Sequence, residues 1–204
     1  MIIFIIICTI AISVFAFYRQ DIFRMLTFNP YLVLNQKEFH RILSHGFVHA
    51  DWVHLGINMF VLYSFGVFIE DVFKVVFGGN ANLYLSLLYF GAIVLSVLPA
   101  FIKHHKHPEY NSVGASGAVS AIVFASIMFN PLGKIYLFFI PIGIPSFIFG
   151  FLYLIYSAVM AKRGRDNIGH EAHFAGAVYG VLFIIIAEPA VVRYFIFQIQ
   201  EFFR

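Results

Sequence analysis

The chain has 204 residues, of which 61% are hydrophobic and 11% charged, with a net charge of +3 and a mean hydropathy of +0.89. Soluble domains carry about 25% charged residues, so this composition excludes a water-soluble globule and specifies an integral membrane protein. The 13 basic residues are scattered over short loops, which excludes a nucleic-acid patch, and the lone Cys8 excludes an internal disulfide.

The first apolar run predicts a helix at 2–18. It lacks a basic start and an A-x-A cleavage site, so it reads as a retained span, with a signal peptide the lesser alternative. Residues 19–53 interleave charges and aromatics without a continuous apolar run, which suits a structured interfacial loop. Further helices are predicted at 54–69, ending in Glu70-Asp71, and at 83–102. A polar loop, 103–110, leads to a fourth helix at 116–129, stopped by Asn130-Pro131-Leu132-Gly133. The apolar stretch 135–144 is broken by Pro141 and Pro145 and reads as an interfacial hairpin. Helices at 146–161 and 171–187 follow, then an aromatic and charged tail that lies along the surface. The reading is all-α: one membrane domain, 1–204, with six transmembrane helices and no separate soluble domain. Nine of the 13 basic residues fall after the first, third and fifth helices, which by the positive-inside rule makes those loops cytoplasmic.

The fourth helix organises the rest. At 1.5 Å per residue it is roughly 21 Å long, short of the ~30 Å hydrocarbon core. It therefore starts below the membrane surface, with loop backbone beside it, and such backbone is tolerated only where protein buries it or water reaches it. Its first residue, Ser116, sits in Gly114-Ala115-Ser116-Gly117-Ala118, where little bulk surrounds the hydroxyl.

Other polar residues sit where lipid-exposed groups are costly. His54 and Asn58 are four apart and share one face of the second helix. An interhelical hydrogen bond is the bland account of Asn58; His49 and His54 alone fit an interface equally well. His173, Gly176 and Gly180 share a face of the sixth helix, and Gly176-x-x-x-Gly180 is a close-packing signal. Packing alone, with His173 as a cap, is one account. The other is that the glycines let the Ala- and Ser-rich fourth helix approach until Ser116 and His173 touch. A serine needs a neighbouring base to become a nucleophile, and His173 suits that role. The Ser116 backbone N–H at a helix start, with the His54 and Asn58 side chains, can supply oxyanion donors. Glu171 points to a different face from His173, which leaves a dyad without a third acid.

In their order and spacing, Gly114-Ala115-Ser116-Gly117-Ala118, His49-x4-His54-x3-Asn58 and His170-x2-His173-x2-Gly176-x3-Gly180 resemble the rhomboid intramembrane serine proteases. Glu38-Phe39-His40-Arg41 is similar to their first-loop motif, and Glu70 falls where many carry a glutamate. The resemblance runs from Glu38 to Gly180. It implies a rhomboid-like six-helix bundle of the minimal bacterial type, with a membrane-embedded first loop and a short central fourth helix. It further implies Ser116 as nucleophile and His173 as general base, with His54, Asn58 and the Ser116 N–H as the oxyanion hole. His49, Gly114, Gly117, Gly176, Gly180 and Arg41 are the supporting residues it implies. The implied substrates are single-pass transmembrane proteins, cut near the top of their membrane segment. No metal or cofactor takes part, and there is no nucleic-acid partner. The implied setting is a bacterial inner membrane with the site toward the extracytoplasmic side, opposite to the orientation that the basic residues give. Substrate entry between the second and fifth helices, under a cap formed by 162–169, follows from the same resemblance. Two departures stand out: His40 replaces the usual tryptophan of the first-loop motif. Ser120 replaces an aromatic that in some members stacks on the histidine one turn after the serine. A catalytically inactive relative that escorts membrane proteins is the alternative. The histidines His104, His105 and His107 read as solvated loop residues.

Overall fold

The computed structural model describes residues 1–136, 141–163 and 169–204. Apart from one two-residue hairpin, every regular element among them is helical. Helix α1 (Ile2–Tyr18) leads into a first loop built from α2 (Gln20–Leu26), α3 (Pro30–Asn35) and α4 (Arg41–Ser44), followed by a 3-10 turn at His45–Phe47. Asn29 caps α3 by accepting from the Leu32 N–H at 3.0 Å, and Pro30 opens it. Helix α5 (Trp52–Phe77) is capped by Asp51, whose carboxylate accepts from the His54 N–H at 2.8 Å.

Helix α5 is longer than the 54–69 expected. Glu70-Asp71 does not stop it, because both carboxylates are satisfied in helical geometry. Glu70 accepts from the Ile2 N–H at 2.9 Å, and Asp71 pairs with Lys74 at 2.8 Å. The helix ends where Gly78 adopts a positive φ of 52°. The third predicted helix is divided into α6 (Ala81–Ser96) and α7 (Leu98–His104), with Val97 between them. Pro99 explains the break: it has no N–H to give the preceding turn and its ring crowds that turn's carbonyl.

Helix α8 (Ser116–Phe129) has the predicted bounds. Strands β1 (Lys134–Ile135) and β2 (Ile144–Pro145) pair antiparallel, which bears out the hairpin at its base. Helices α9 (Ser146–Arg163) and α10 (His170–Ala187) stand at the fifth and sixth predicted positions. The tail is helical too: α11 (Ala190–Phe202) buries Val191 and brings Phe202 and Phe203 against Phe147 of α9.

Among the described residues, three stretches are long and apolar enough to cross a membrane: Trp52–His104, which folds into α5 and α6–α7, Ser146–Arg163 and His170–Ala187. Ile2–Tyr18 and Ser116–Phe129 are shorter apolar helices. The centre of the bundle is α8, where twelve of 14 residues are buried. Two glycines set the crossing of α8 and α10. A Cβ on Gly176 would stand 2.0 Å from the Gly117 carbonyl oxygen, and one on Gly180 2.3 Å from that of Ala121. The two helices therefore meet backbone to backbone, as the small-x-x-x-small spacing requires. Tyr179 fastens α10 to α6 by donating to the Leu87 carbonyl at 2.9 Å.

Candidate active site

The loop before α8 holds irregular backbone inside a membrane protein, so its polar groups need partners. They come from the first loop. Phe28 and Ser112 exchange two backbone hydrogen bonds of 2.9 and 3.0 Å. The Asn29 amide donates to the Pro108 carbonyl at 2.9 Å, and the Gly114 N–H to the His45 carbonyl at 2.9 Å. Gly114 has a φ of +110°, and a Cβ there would lie 2.9 Å from His54 Nε2. Backbone conformation and space both demand glycine at this position.

His49 lies beneath this loop, fully buried. Ser13 of α1 donates to the Phe47 carbonyl at 2.8 Å, so its oxygen is left to accept from His49 Nδ1–H at 3.0 Å. The bare Nε2 then accepts from the Ala115 N–H at 3.4 Å. This chain of bonds assigns the tautomer and ties α1, the first loop and the start of α8 together. Nothing in the sequence marks the part played by Ser13: a serine in an apolar helix carries no pattern of its own.

Burial holds the imidazoles of His45 and His49 neutral, with His45 lowered to about 4 and His49 to about 3. The unfolded chain binds their protons near pH 6.5 and the folded chain does not. Stability is therefore full above about 6.5 and falls as pH drops toward 4 and then 3. The limiting loss is about 1.4 kcal/mol per pH unit for each histidine. Thermal unfolding in detergent across this range should show that acid slope, and His49→Gln should reduce it.

Ser116 opens α8, half-buried. The first intrahelical bond there is from the Val119 N–H to the Ala115 carbonyl at 2.9 Å, so the N–H groups of residues 116–118 have no intrahelical partner. A Cβ on Gly117 would lie 3.4 Å from the Ala172 carbonyl oxygen and 2.2 Å from Ser96 Oγ. The first turns of α8 and α10 thus face each other, with Ser116 and His173 beside the two touching residues. His54 stands over the same corner, its ring edge-on to His49 at 5.0 Å. Asn58, one turn on and buried, donates one amide hydrogen to the His54 carbonyl at 3.0 Å, leaving its second N–H for another acceptor.

Arg41 is not brought to the serine. Its buried guanidinium pairs with Glu38 and donates to the carbonyls of Arg24 at 2.6 Å and Thr27 at 2.7 Å, so it braces the first loop. His40, at the position of the usual tryptophan, is exposed and bonds through Nε2 to the Met25 carbonyl at 3.1 Å. Glu171 turns outward to Lys103 at 2.6 Å, away from His173. His104 lies flat on Tyr110, and His107 pairs with Glu109. Most of the expected 162–169 cap, residues 164–168, lies outside the described residues.

One participant was missed by the sequence reading. The ring of Tyr153, from α9, stacks on His173 with centroids 6.4 Å apart and planes 23° apart. Its hydroxyl is 3.0 Å from Ser120 Oγ. The aromatic absent at position 120 is thus supplied from another helix, and Ser120 is its partner.

The family model for the Rhomboid domain matches residues 36–189. The chain is 29% identical over 154 residues to RHOMBOID-like protein 12, mitochondrial, of Arabidopsis thaliana, covering 70% of this chain and 45% of that protein. It is 29% identical over 164 residues to Rhomboid-like protein 11, chloroplastic, of the same plant, covering 76% and 54%. To Rhomboid protein 1, mitochondrial, of Saccharomyces cerevisiae it is 26% identical over 144 residues, covering 70% and 40%. The chain spans about half the length of these curated relatives. Their names are organellar and lend no support to the bacterial setting expected above. A domain match over three quarters of an apolar chain, on a helix crossing that joins the Ser116 and His173 turns, identifies this integral membrane protein as a member of the rhomboid family.

Proposed function

We propose that the chain is an intramembrane serine endopeptidase that cuts single-pass transmembrane proteins with a Ser116–His173 dyad, in a bundle of six membrane-crossing helices. The observation that supports this reading is the glycine-enforced crossing of α8 and α10, in which the helix turns that carry Ser116 and His173 meet. His173 takes the Ser116 proton as Oγ attacks the scissile carbonyl. The Ser116 N–H, His54 and the second N–H of Asn58 receive the oxyanion, each donor contributing about 3 kcal/mol. The amine leaves with the proton from His173, and water then hydrolyses the acyl-serine with the same base. Gly114 leaves room for the His54 ring beside the serine, and Gly117 lets Ser96 and the Ala172 carbonyl close in on the same turn. Access from the side, between α5 and α9, fits the sparse burial of α9, where only Ser146, Gly150 and Ser157 are buried.

Purified protein in liposomes, given a model single-pass substrate and a fluorophosphonate probe, should cut the one and be labelled by the other. Folded protein that does neither overturns the reading in favour of a non-catalytic escort.

A further inference from the structure

We infer that Tyr153 is a positioning residue for the base of the proposed reaction, and that α9 brings its ring beside His173 when α9 is seated against the bundle. This rests on the protease reading for its kinetic consequence, but its geometric content stands apart from it. The Tyr153 ring lies near-parallel to that of His173, with centroids 6.4 Å and planes 23° apart. The ring is itself confined on other sides, tilted against Phe124 of α8 and stacked near Phe149 of its own helix, both at 5.8 Å. Its hydroxyl meets Ser120, a buried residue, at 3.0 Å in a partly buried bond.

Ser120 stands one helical turn after Ser116, so one helix carries the nucleophile and, through Tyr153, fixes the ring over the base. An aromatic on α8 itself would be rigid with the serine. Here the ring belongs to a helix that buries only three residues and bonds the side chain of Ser120 on α8 through this hydroxyl. Moving α9 outward breaks that bond and carries the ring away from His173 in the same step. Opening for a substrate and competence of the base are thereby coupled, and the site is complete only once α9 returns.

The test uses the full chain in detergent micelles. The ring of Tyr153 should shift the His173 imidazole proton signals upfield, with the signals assigned by their loss in His173→Ala. That shift should persist in Tyr153→Phe, weaken in Ser120→Ala and vanish in Tyr153→Leu. Unchanged His173 signals in folded Tyr153→Leu would overturn the inference even if the protein cleaves substrate. On the kinetic side, Tyr153→Leu should lower kcat about 10- to 100-fold with KM within about twofold, as misplacing a catalytic group does. Tyr153→Phe and Ser120→Ala should each cost about threefold, and together no more than either alone, because both break one bond. Additive losses, or a KM effect without a kcat effect, would also sink it. A ring shift in a protein that neither cuts nor labels would leave the geometry standing and remove the protease reading instead.

Discussion

Ser116→Ala should lower cleavage of a single-pass substrate by at least about 10³-fold, equivalent to about 4 kcal/mol of transition-state stabilisation, and abolish fluorophosphonate labelling. No neighbouring group can take over: Ser120 is committed to Tyr153, and Ser96 Oγ packs against Gly117 while bonding its own helix at the Ile93 carbonyl. His173→Ala should cost a similar factor, since an unassisted hydroxyl is a poor nucleophile at neutral pH. The double variant should be no slower than the slower single variant, because the two residues act as one unit. Residual activity would come from the oxyanion donors alone. Retained cleavage by Ser116→Ala, with the protein rigorously free of contaminating protease, would remove the dyad.

The second large effect concerns stability. Gly176→Ala should destabilise the fold by about 3 kcal/mol or more, the upper end for overpacking, and Gly180→Ala by a comparable amount. The reason is what the new methyl meets. At Gly176 it meets the Gly117 carbonyl oxygen at 2.0 Å, and at Gly180 that of Ala121 at 2.3 Å. These are backbone atoms of the most buried helix and cannot turn aside as a side-chain end can. Gly56 is the matched control: nothing lies within 4 Å of a Cβ there, so Gly56→Ala should hold or slightly raise stability by helix propensity. Thermal or denaturant unfolding in one detergent would compare the three. Equal stability of Gly176→Ala and Gly56→Ala would show that α8 and α10 are not packed as described. Any folded Gly176→Ala protein should also be slow, because separating the helices separates Ser116 from His173.

The positions of the six predicted helices were legible because long apolar runs and their stops are local. Asn130-Pro131 ends α8 at the expected residue, for example. The errors came where a local stop signal was overridden. Glu70-Asp71 looked like the end of a span, yet α5 continues because Ile2 and Lys74 satisfy those carboxylates. Pro99 acted in the opposite sense, dividing a run that hydropathy reads as continuous. The tail pattern of aromatics and charges was legible as a surface element but not as the helix α11, since its apolar side needs Phe147 to pack against.

Ser116, His54, Asn58 and His173 stood out by themselves, because a polar group in an apolar span is costly and therefore conspicuous. The Gly176-x-x-x-Gly180 spacing likewise declared a close helix contact before any partner was known. The partner's identity, α8 at Gly117 and Ala121, could only come from three dimensions, because helical periodicity says which face is buried and not against what. The same holds for Ser13 under His49 and for Tyr153 over His173. A lone serine or tyrosine in an apolar helix breaks no pattern, so its role exists only when folding brings distant helices together. Chemistry-bearing residues and helix positions were thus determined by the one-dimensional sequence through hydropathy and spacing. Which side chains orient them was decided by tertiary packing, because those contacts join residues on different helices, the Tyr153–His173 pair 20 positions apart and the Ser13–His49 pair 36.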